Sequence, residues 1–251
     1  MAQRLDILNI WVDAITRSEA RDRVVEILDQ GRRPHLVLAS NPEKNYTVPA
    51  DPVLYDIYRK ADLLLPDGIG MVMAARLLYG MKLERVPGSE FIFDICDIAR
   101  AKSKGIFVYG AREDVNQTAC EKLLWRYPGL NIVGRANGYI PQDDMPQLID
   151  AINESRADVL FVALGSPRQE KWLATHANQL TSVKICQGIG GTLDTIAENV
   201  KRAPQIWCQY HLEWLYRLLK EPKRIKRQKV LPLFAFGIMQ KRMSQRFPLM
   251  G

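Results

Sequence analysis

Short apolar runs alternate with longer amphipathic segments along most of the chain. Runs of about four to eight residues rich in Val, Ile and Leu predict strands buried on both faces of a sheet, and the longer segments have the periodicity of helices. This alternation is typical of βαβ units, so it predicts an α/β fold with a Rossmann-like parallel sheet flanked by helices. The predicted strands are LDILNI, HLVLAS, DLLLPD, GIFVYGA, NIVGRA, DVLFVALG and VKICQGIG.

Helical patterns occupy the segments between these strands. The first, SEARDRVVEILDQG, has Ser18 as a predicted N-cap and Gly31 as a predicted C-cap. The others are GSEFIFDICDIARAKSKG, REDVNQTACEKLLWRYPG, MPQLIDAINESRA and RQEKWLATHANQL. We therefore predict a Rossmann-like α/β domain over residues 1–195 and a C-terminal appendage over residues 196–251, with a helix from about 205 to 220 and a basic tail.

The positive charge of the chain is concentrated near its C-terminus. The net charge is +7, and nine of the 35 Lys and Arg residues, but one of the 28 acidic residues, lie from Lys220 onward. A nucleic-acid-binding protein usually spreads its cations over a face or groove, so this distribution argues against a nucleic-acid partner. The cations are followed by VLPLFAFGIM, about half the length of a membrane span. We therefore predict peripheral binding to an anionic membrane surface.

Two uses of this apolar run remain open. Its side chains are available for shallow insertion into a bilayer whose headgroups attract the neighbouring cations. Alternatively, the run docks on the protein's own core. A homo-oligomer formed through exposed apolar surface also stays open. The side chains concerned are Leu231, Leu233, Phe234, Phe236, Ile238 and Met239.

Cofactor fingerprints are absent from the sequence. The four cysteines are far apart and form no C-x-x-C pair, which indicates isolated buried thiols in a reducing compartment rather than a zinc site. Neither FVYGARED nor QGIGGTLD has the spacing G-x-G-x-x-G, and no D-x-D pair is present to chelate a divalent ion. The N-terminus lacks the apolar region of a signal peptide. We therefore expect a cytoplasmic protein with no nicotinamide, flavin or metal.

Polar residues follow two of the predicted strands, where ligands bind in open α/β sheets. Asn41 follows HLVLAS, and it either caps the next helix or faces the cleft. Asp67 follows DLLLP and precedes Gly68, so it either forms a turn or acts as the general base that takes the proton of an attacking sugar hydroxyl.

Two further strand ends carry candidate ligand contacts. Gln169 lies in SPRQ, which has the spacing of a capping box, and its amide either caps that helix or reads a nucleobase edge. Gly188, Gly190 and Gly191 precede Asp194, and glycines at this density indicate backbone packed against a ligand.

Eight motifs follow one another along nearly the whole chain: NPE, PDGIGMV, RVPGSEF, VYGA, NGY, ALGSPRQEKW, GIGGTLDTIAENVKRAP and LEWLYRLLKEPKR. With these motifs in this order, the chain resembles the WecG/TagA/CpsF glycosyltransferases of bacterial surface-polysaccharide and teichoic-acid synthesis. The family often has Thr two residues before the Asn of NPE, where this chain has Ala39.

The resemblance implies an inverting, metal-independent enzyme. It would transfer N-acetylmannosamine, its uronic acid or a hexose from a UDP donor to a polyprenyl-diphosphate-linked sugar at the inner face of the cytoplasmic membrane. By motif, Asp67 looks like the catalytic base and Asn41 and Arg85 look like cleft residues. The residues that look like donor-nucleotide contacts are Tyr139, Gln169 and Asp194.

The resemblance also implies two roles for the C-terminal appendage. In this family the appendage supports membrane association, and it can supply arginines to the active site. Arg217, Arg224 and Arg227 stand seven and three residues apart, which would place them on one helical face if the helix continued past Pro222. Planar guanidinium groups are suited to neutralising a leaving diphosphate.

Two other classes of function are considered beside the glycosyltransferase. A dinucleotide-dependent oxidoreductase would have a glycine fingerprint and an acidic ribose ligand about 20 residues further on. A noncatalytic binding module would use the tail to dock on anionic lipid.

Overall fold

The computed structural model describes residues 2–198, 207, 215, 216 and 229–246. Two of its strands form a separate hairpin, and the other six form a parallel sheet. The strands are β1 Arg4–Ile7, β2 Ile10–Asp13, β3 His35–Ser40, β4 Leu63–Pro66, β5 Gly105–Gly110, β6 Asn131–Ala136, β7 Val159–Ala163 and β8 Ile185–Gly188. The order across the parallel sheet is β4-β3-β8-β7-β5-β6. The predicted α/β class with a Rossmann-like parallel sheet is confirmed.

Helices connect these strands on both faces of the sheet. They are α1 Arg17–Gln30, α2 Lys44–Thr47, α3 Pro52–Lys60, α4 Ile69–Tyr79, α5 Gly88–Ala101, α6 Glu113–Arg126, α7 Met145–Glu154, α8 Arg168–His176, α9 Thr192–Ile196 and α10 Val230–Arg246. The helical patterns did not single out α3 and α4, and the predicted helix from about 205 to 220 lies largely outside the described residues.

Strands of the parallel sheet supply side chains to two cores, and the edge strand β4 does so as well. Leu63 and Leu65 of β4 pack on one face with α1, α5 and α6, whereas Leu64 packs on the other face with α3, α4 and α7. Successive side chains of a strand point to opposite faces, so a strand buried on both sides is apolar throughout. This arrangement explains why the strand signal in the sequence is an unbroken apolar run.

The first predicted strand does not join the parallel sheet. LDILNI is split by a turn at Leu8 and Asn9, and β1 pairs antiparallel with β2. Leu8 has a φ of 60°, in the left-handed region that a tight turn requires. The prediction of a single strand of the parallel sheet here was wrong, because an apolar run does not reveal that its backbone reverses.

The start of α1 also differs from the prediction. Thr16, rather than Ser18, is the N-cap, and its side chain forms a capping box with Glu19. The predicted C-cap at Gly31 is confirmed.

The apolar run near the C-terminus forms the first part of α10, which packs on α4 and the β1–β2 hairpin. Phe234 and Ile238 are buried in the core on that side, so of the two uses left open for this run, these two side chains take the docking on the protein's own core. Leu233, Phe236 and Met239 remain well exposed on α10. One face of this helix is thus fixed to the domain while another is open to solvent. No helix in the described part of the chain is both long and apolar enough to cross a membrane.

Candidate active site

A cleft of about 1320 Å³ lies beyond the carboxyl ends of β4, β3, β8 and β7. Parallel strands all end at the same edge of the sheet, which is why residues far apart in sequence meet there. The predicted residues that line the cleft are Asn41, Asp67, Arg85, Gln169 and Asp194.

Hydrogen bonds hold both carboxylate oxygens of Asp67. Asn41 Nδ2 donates to Oδ2 at 3.3 Å, and the Gly88 backbone N–H, at the start of α5, donates to Oδ1 at 3.0 Å. Gln187 on β8 donates from Nε2 to the Gly88 carbonyl oxygen at 3.0 Å and so fixes the turn that supplies this N–H. Hydrogen bonds to both oxygens, one of them from the N-terminus of α5, fix the position and orientation of this carboxylate in the cleft.

Asn41 also organises the loop after β3. Its Oδ1 accepts a hydrogen bond from the Lys44 backbone N–H at 3.3 Å, so the one side chain both caps this turn and contacts Asp67. The helix itself starts at Lys44, and its N-cap is Glu43 rather than Asn41. Arg85 Nε donates to the backbone oxygen of Asp67 at 3.1 Å, which fixes the peptide carrying the carboxylate.

The glycine-rich loop after β8 is built around Gln169. This side chain is 6% exposed, and its Oε1 accepts a hydrogen bond from the Gly190 N–H at 2.9 Å. A Cβ on Gly188 would lie 2.6 Å from Gln169 Nε2, and Gly190 has a φ of 56°, so both positions suit glycine. The predicted capping box at Ser166 and Gln169 was wrong, because the Gln169 amide turns to the loop and Pro167, the N-cap, makes no side-chain cap.

A buried ion pair, which sequence reasoning missed, joins the part of the cleft wall after β3 to the part after β7. Lys44 Nζ lies 2.8 Å from Glu170 Oε1 and also contacts Ser166 Oγ. Lys44 is 6% exposed and Glu170 is 2% exposed, and Glu170 Oε2 has no hydrogen-bond partner among the described residues. The two residues are 126 positions apart, whereas charge patterns in a sequence predict ion pairs only between near neighbours along a helix.

Tyr58 is buried beneath this ion pair. Burial raises the pKa of Tyr58 well above its ordinary value, and the carboxylates of Glu170 and Asp67 add to that rise. The hydroxyl therefore keeps its proton and donates to the Ala39 carbonyl oxygen at 3.0 Å. Ala39, where the family often has Thr, also lines the cleft.

Among the predicted site residues that the structure describes, Tyr139 does not line this cleft. Tyr139 follows the edge strand β6, which β5 separates from β7, and its side chain is 70% exposed and away from the cleft lining. The predicted roles of Arg217, Arg224 and Arg227 lie outside the described residues.

The described residues contain no group of three or more His, Cys, Asp or Glu side chains that could hold a metal ion. Cys96, Cys120 and Cys186 are buried free thiols, and burial raises the pKa of Cys96 to about 12 and that of Cys120 to about 11. These thiols are therefore protonated at neutral pH and pack as small apolar side chains. Cys208 lies outside the described residues.

The fold and the cleft define a Rossmann-like α/β protein with a ligand site at the carboxyl edge of its sheet and a bonded carboxylate within it. Residues 5–248 match the model of the glycosyl transferase WecG/TagA/CpsF family. The chain therefore belongs to this family of glycosyltransferases, as its motifs predicted.

Three relatives carry the same name, N-acetylglucosaminyldiphosphoundecaprenol N-acetyl-beta-D-mannosaminyltransferase. The protein of Bacillus spizizenii is 34% identical over 230 residues, covering 92% of this chain and 88% of the relative. That of Bacillus subtilis is 34% identical over 206 residues, covering 82% and 79%. That of Staphylococcus aureus (strain MRSA252) is 32% identical over 237 residues, covering 94% and 92%. Family membership favours the glycosyltransferase over the oxidoreductase and the noncatalytic binding module.

Proposed function

We propose that this protein transfers a sugar from a UDP donor to a polyprenyl-diphosphate-linked sugar, with inversion at the anomeric carbon and without a metal ion. The names of the relatives favour N-acetylmannosamine as the transferred sugar and N-acetylglucosaminyldiphosphoundecaprenol as the acceptor. The observation that carries the proposal is the Asp67 carboxylate, which lines the cleft with both oxygens hydrogen-bonded.

In the proposed step Asp67 acts as the general base. The acceptor hydroxyl oxygen attacks the anomeric carbon of the donor and forms the new C–O bond, while the C–O bond to the diphosphate breaks and UDP leaves with its electron pair. Asp67 takes the hydroxyl proton. A single displacement from the face opposite the leaving group inverts the anomeric carbon, and one positioned base is sufficient for it.

The donor is proposed to bind over the glycine-rich loop after β8. Gly188, Gly190 and Gly191 allow close approach of a nucleotide to the backbone, and Asp194 lines the same side of the cleft. The loop and Asp67 line the same cleft, at the ends of β8 and β4, which suits a donor bound next to the base. Arg217, Arg224 and Arg227 would neutralise the leaving diphosphate in this scheme.

The site of action is proposed to be the inner face of the cytoplasmic membrane. Phe236 and Met243 of α10 are each more than half exposed, so this helix presents apolar side chains to its surroundings. The basic stretch before α10 contains five cations between Lys223 and Lys229, each worth about 1 kcal/mol near anionic lipid. Together they suit reversible binding to an anionic surface.

The test is transfer in a metal-free assay. The full chain is incubated with a panel of UDP-sugars and a short-chain polyprenyl-diphosphate N-acetylglucosamine, and UDP release, acceptor mass and product anomer are followed. We expect UDP release coupled to a mass gain of one sugar with inverted stereochemistry.

Retention of the donor anomer would overturn the single displacement. Absence of transfer with every donor, from folded protein that binds UDP, would overturn the proposed acceptor. Failure to bind UDP at all would overturn the donor class.

A further inference from the structure

The lipid chain of the acceptor needs a route out of the cleft, and two helices beside Asp67 offer an apolar one. Met73 and Leu77 lie four residues apart on α4, so they share a helical face. Leu231, Ala235 and Met239 form the corresponding row on α10. We refer to these five side chains as the apolar track.

The track begins inside the cleft. Met73, Leu231 and Ala235 line the same cavity as Asp67, and α4 starts two residues after that carboxylate. Leu77 is 47% exposed and Met239 is 62% exposed, so the far end of the track lies on the surface. Apolar side chains of the track therefore line both the cleft that holds the candidate base and the adjoining surface of the two helices.

The two helices run side by side in the same direction. At their start, a Cβ on Gly70 would lie 3.4 Å from Phe234 Cε1. Near their ends both contact the β1–β2 hairpin at one residue, since Tyr79 Oη donates to the Asp6 carbonyl and Lys241 Nζ lies 3.2 Å from Asp6 Oδ1. The row from Leu231 to Met239 is about 12 Å long at 1.5 Å per residue, enough for the first isoprene units of a chain.

The opposite mouth of the cleft has a different character. Lys122, Asp194 and Glu198 border it together with the exposed Trp125, so charged groups are interspersed with the apolar side chains there. An uncharged hydrocarbon chain is favoured on continuous apolar surface rather than among charges.

We propose that the apolar track binds the isoprenoid chain of the acceptor, which directs its diphosphate and sugar toward Asp67. This proposal rests on the proposed function and adds the subsite for the lipid portion. It requires that the enzyme distinguishes acceptors by chain length even where no membrane is present.

The first test compares two acceptors in solution without vesicles or micelles. Both are N-acetylglucosaminyl diphosphates, one carrying a single isoprene unit and the other several. Met73→Gln removes apolar contact from the track at nearly constant side-chain size. Leu233→Gln, on another face of α10, is the matched control, because Met73 is 58% exposed and Leu233 is 57% exposed.

We expect Met73→Gln to raise KM for the longer acceptor about tenfold more than for the shorter one, the change that corresponds to about 1.4 kcal/mol of lost apolar contact. KM for the donor should stay unchanged, and Leu233→Gln should leave the ratio of the two acceptor KM values as in wild type. Equal effects on both acceptors, or the same change of ratio in the control, would overturn the track.

A second measurement does not depend on turnover. A polyprenyl diphosphate carrying a diazirine on its second isoprene unit is photolysed with the full chain, and the labelled peptides are identified by mass spectrometry. Label on α4 and α10, reduced by Met73→Gln and not by Leu233→Gln, supports the track. Label confined to other elements overturns it, and this result is distinct from a failure of sugar transfer.

Discussion

The two sides of the cleft are built in different ways. On the side of β3 and β4, a carboxylate is held in place, since the Asn41 side chain and the Gly88 backbone N–H both donate hydrogen bonds to Asp67. On the side of β7 and β8, a side chain holds backbone, since Gln169 fixes Gly190 and a Cβ on Gly188 would clash with it. The first arrangement suits proton transfer at a fixed atom, and the second suits close contact with an extended ligand.

We therefore expect the β3–β4 side to carry out the chemistry and the β7–β8 side to bind the donor. Replacing the proposed base tests this division most strongly. Asp67→Asn keeps the size of the side chain and removes the proton acceptor, so kcat should fall about 10²- to 10⁴-fold while UDP-sugar binding changes little. Turnover from UDP release and donor affinity from calorimetry measure the two effects. Turnover close to wild type would remove Asp67 from the role of base.

Breaking the ion pair that joins the two sides should have the next largest effect. Lys44→Met leaves the Glu170 charge buried without its partner, which should cost about 3–5 kcal/mol in the free energy of unfolding, measured by urea denaturation. Replacing Glu170 by Met as well should recover much of this loss.

Lys171→Met is the matched control, because Lys171 is half exposed and pairs with Asp51 at 2.6 Å. It should cost at most about 1 kcal/mol. Equal losses for the two single variants would mean that the buried pair does not couple the two sides.

On the binding side, Gly188→Ala should weaken the donor site. The added Cβ displaces Gln169 and thereby the Gly190 turn, so KM for the donor should rise about 10- to 100-fold, the equivalent of about 1–3 kcal/mol of local strain. Gly129→Ala is the control, since Gly129 has a φ of 86° but lies away from the cleft. A fall in kcat with unchanged donor KM would contradict the division.

On the chemistry side, Asn41→Ala should have a moderate effect. It removes the hydrogen bond to Asp67 Oδ2, worth about 1.5 kcal/mol for a charged acceptor, so kcat should fall about tenfold. Donor KM should stay within about twofold. Asn137→Ala, in an exposed turn, should leave both constants unchanged in the same assay.

The smallest effect is expected from removal of metal ions. If side chains and backbone of the two sides suffice for the reaction, initial rates after extensive chelation should stay within about twofold of the untreated rate. Loss of activity that added Mg²⁺ or Mn²⁺ restores would contradict the metal-independent scheme.

Much of the parallel sheet followed from the sequence, because strands buried on both faces must be apolar throughout and the helices between them must be amphipathic. The position of Asp67 followed too, since a carboxylate directly after such a strand must reach the carboxyl edge of the sheet. The split of LDILNI into a hairpin and the start of α1 at Thr16 did not follow, because local backbone reversals compete closely with regular structure.

Which residues meet at that edge was decided by tertiary structure alone. Lys44, at the start of α2, and Glu170, in α8, are 126 positions apart, and they meet because β8 alone separates β3 from β7 in the described sheet. Gln169 has the spacing of a helix cap, yet it bonds the Gly190 loop that the strand order brings beside it. From the sequence alone, Phe234 and Ile238 could insert into a bilayer or pack on the protein. In the structure they pack in the core beside α4. Sequence determines which side chains can bury or bond, whereas the partner that each one finds depends on the order of the strands.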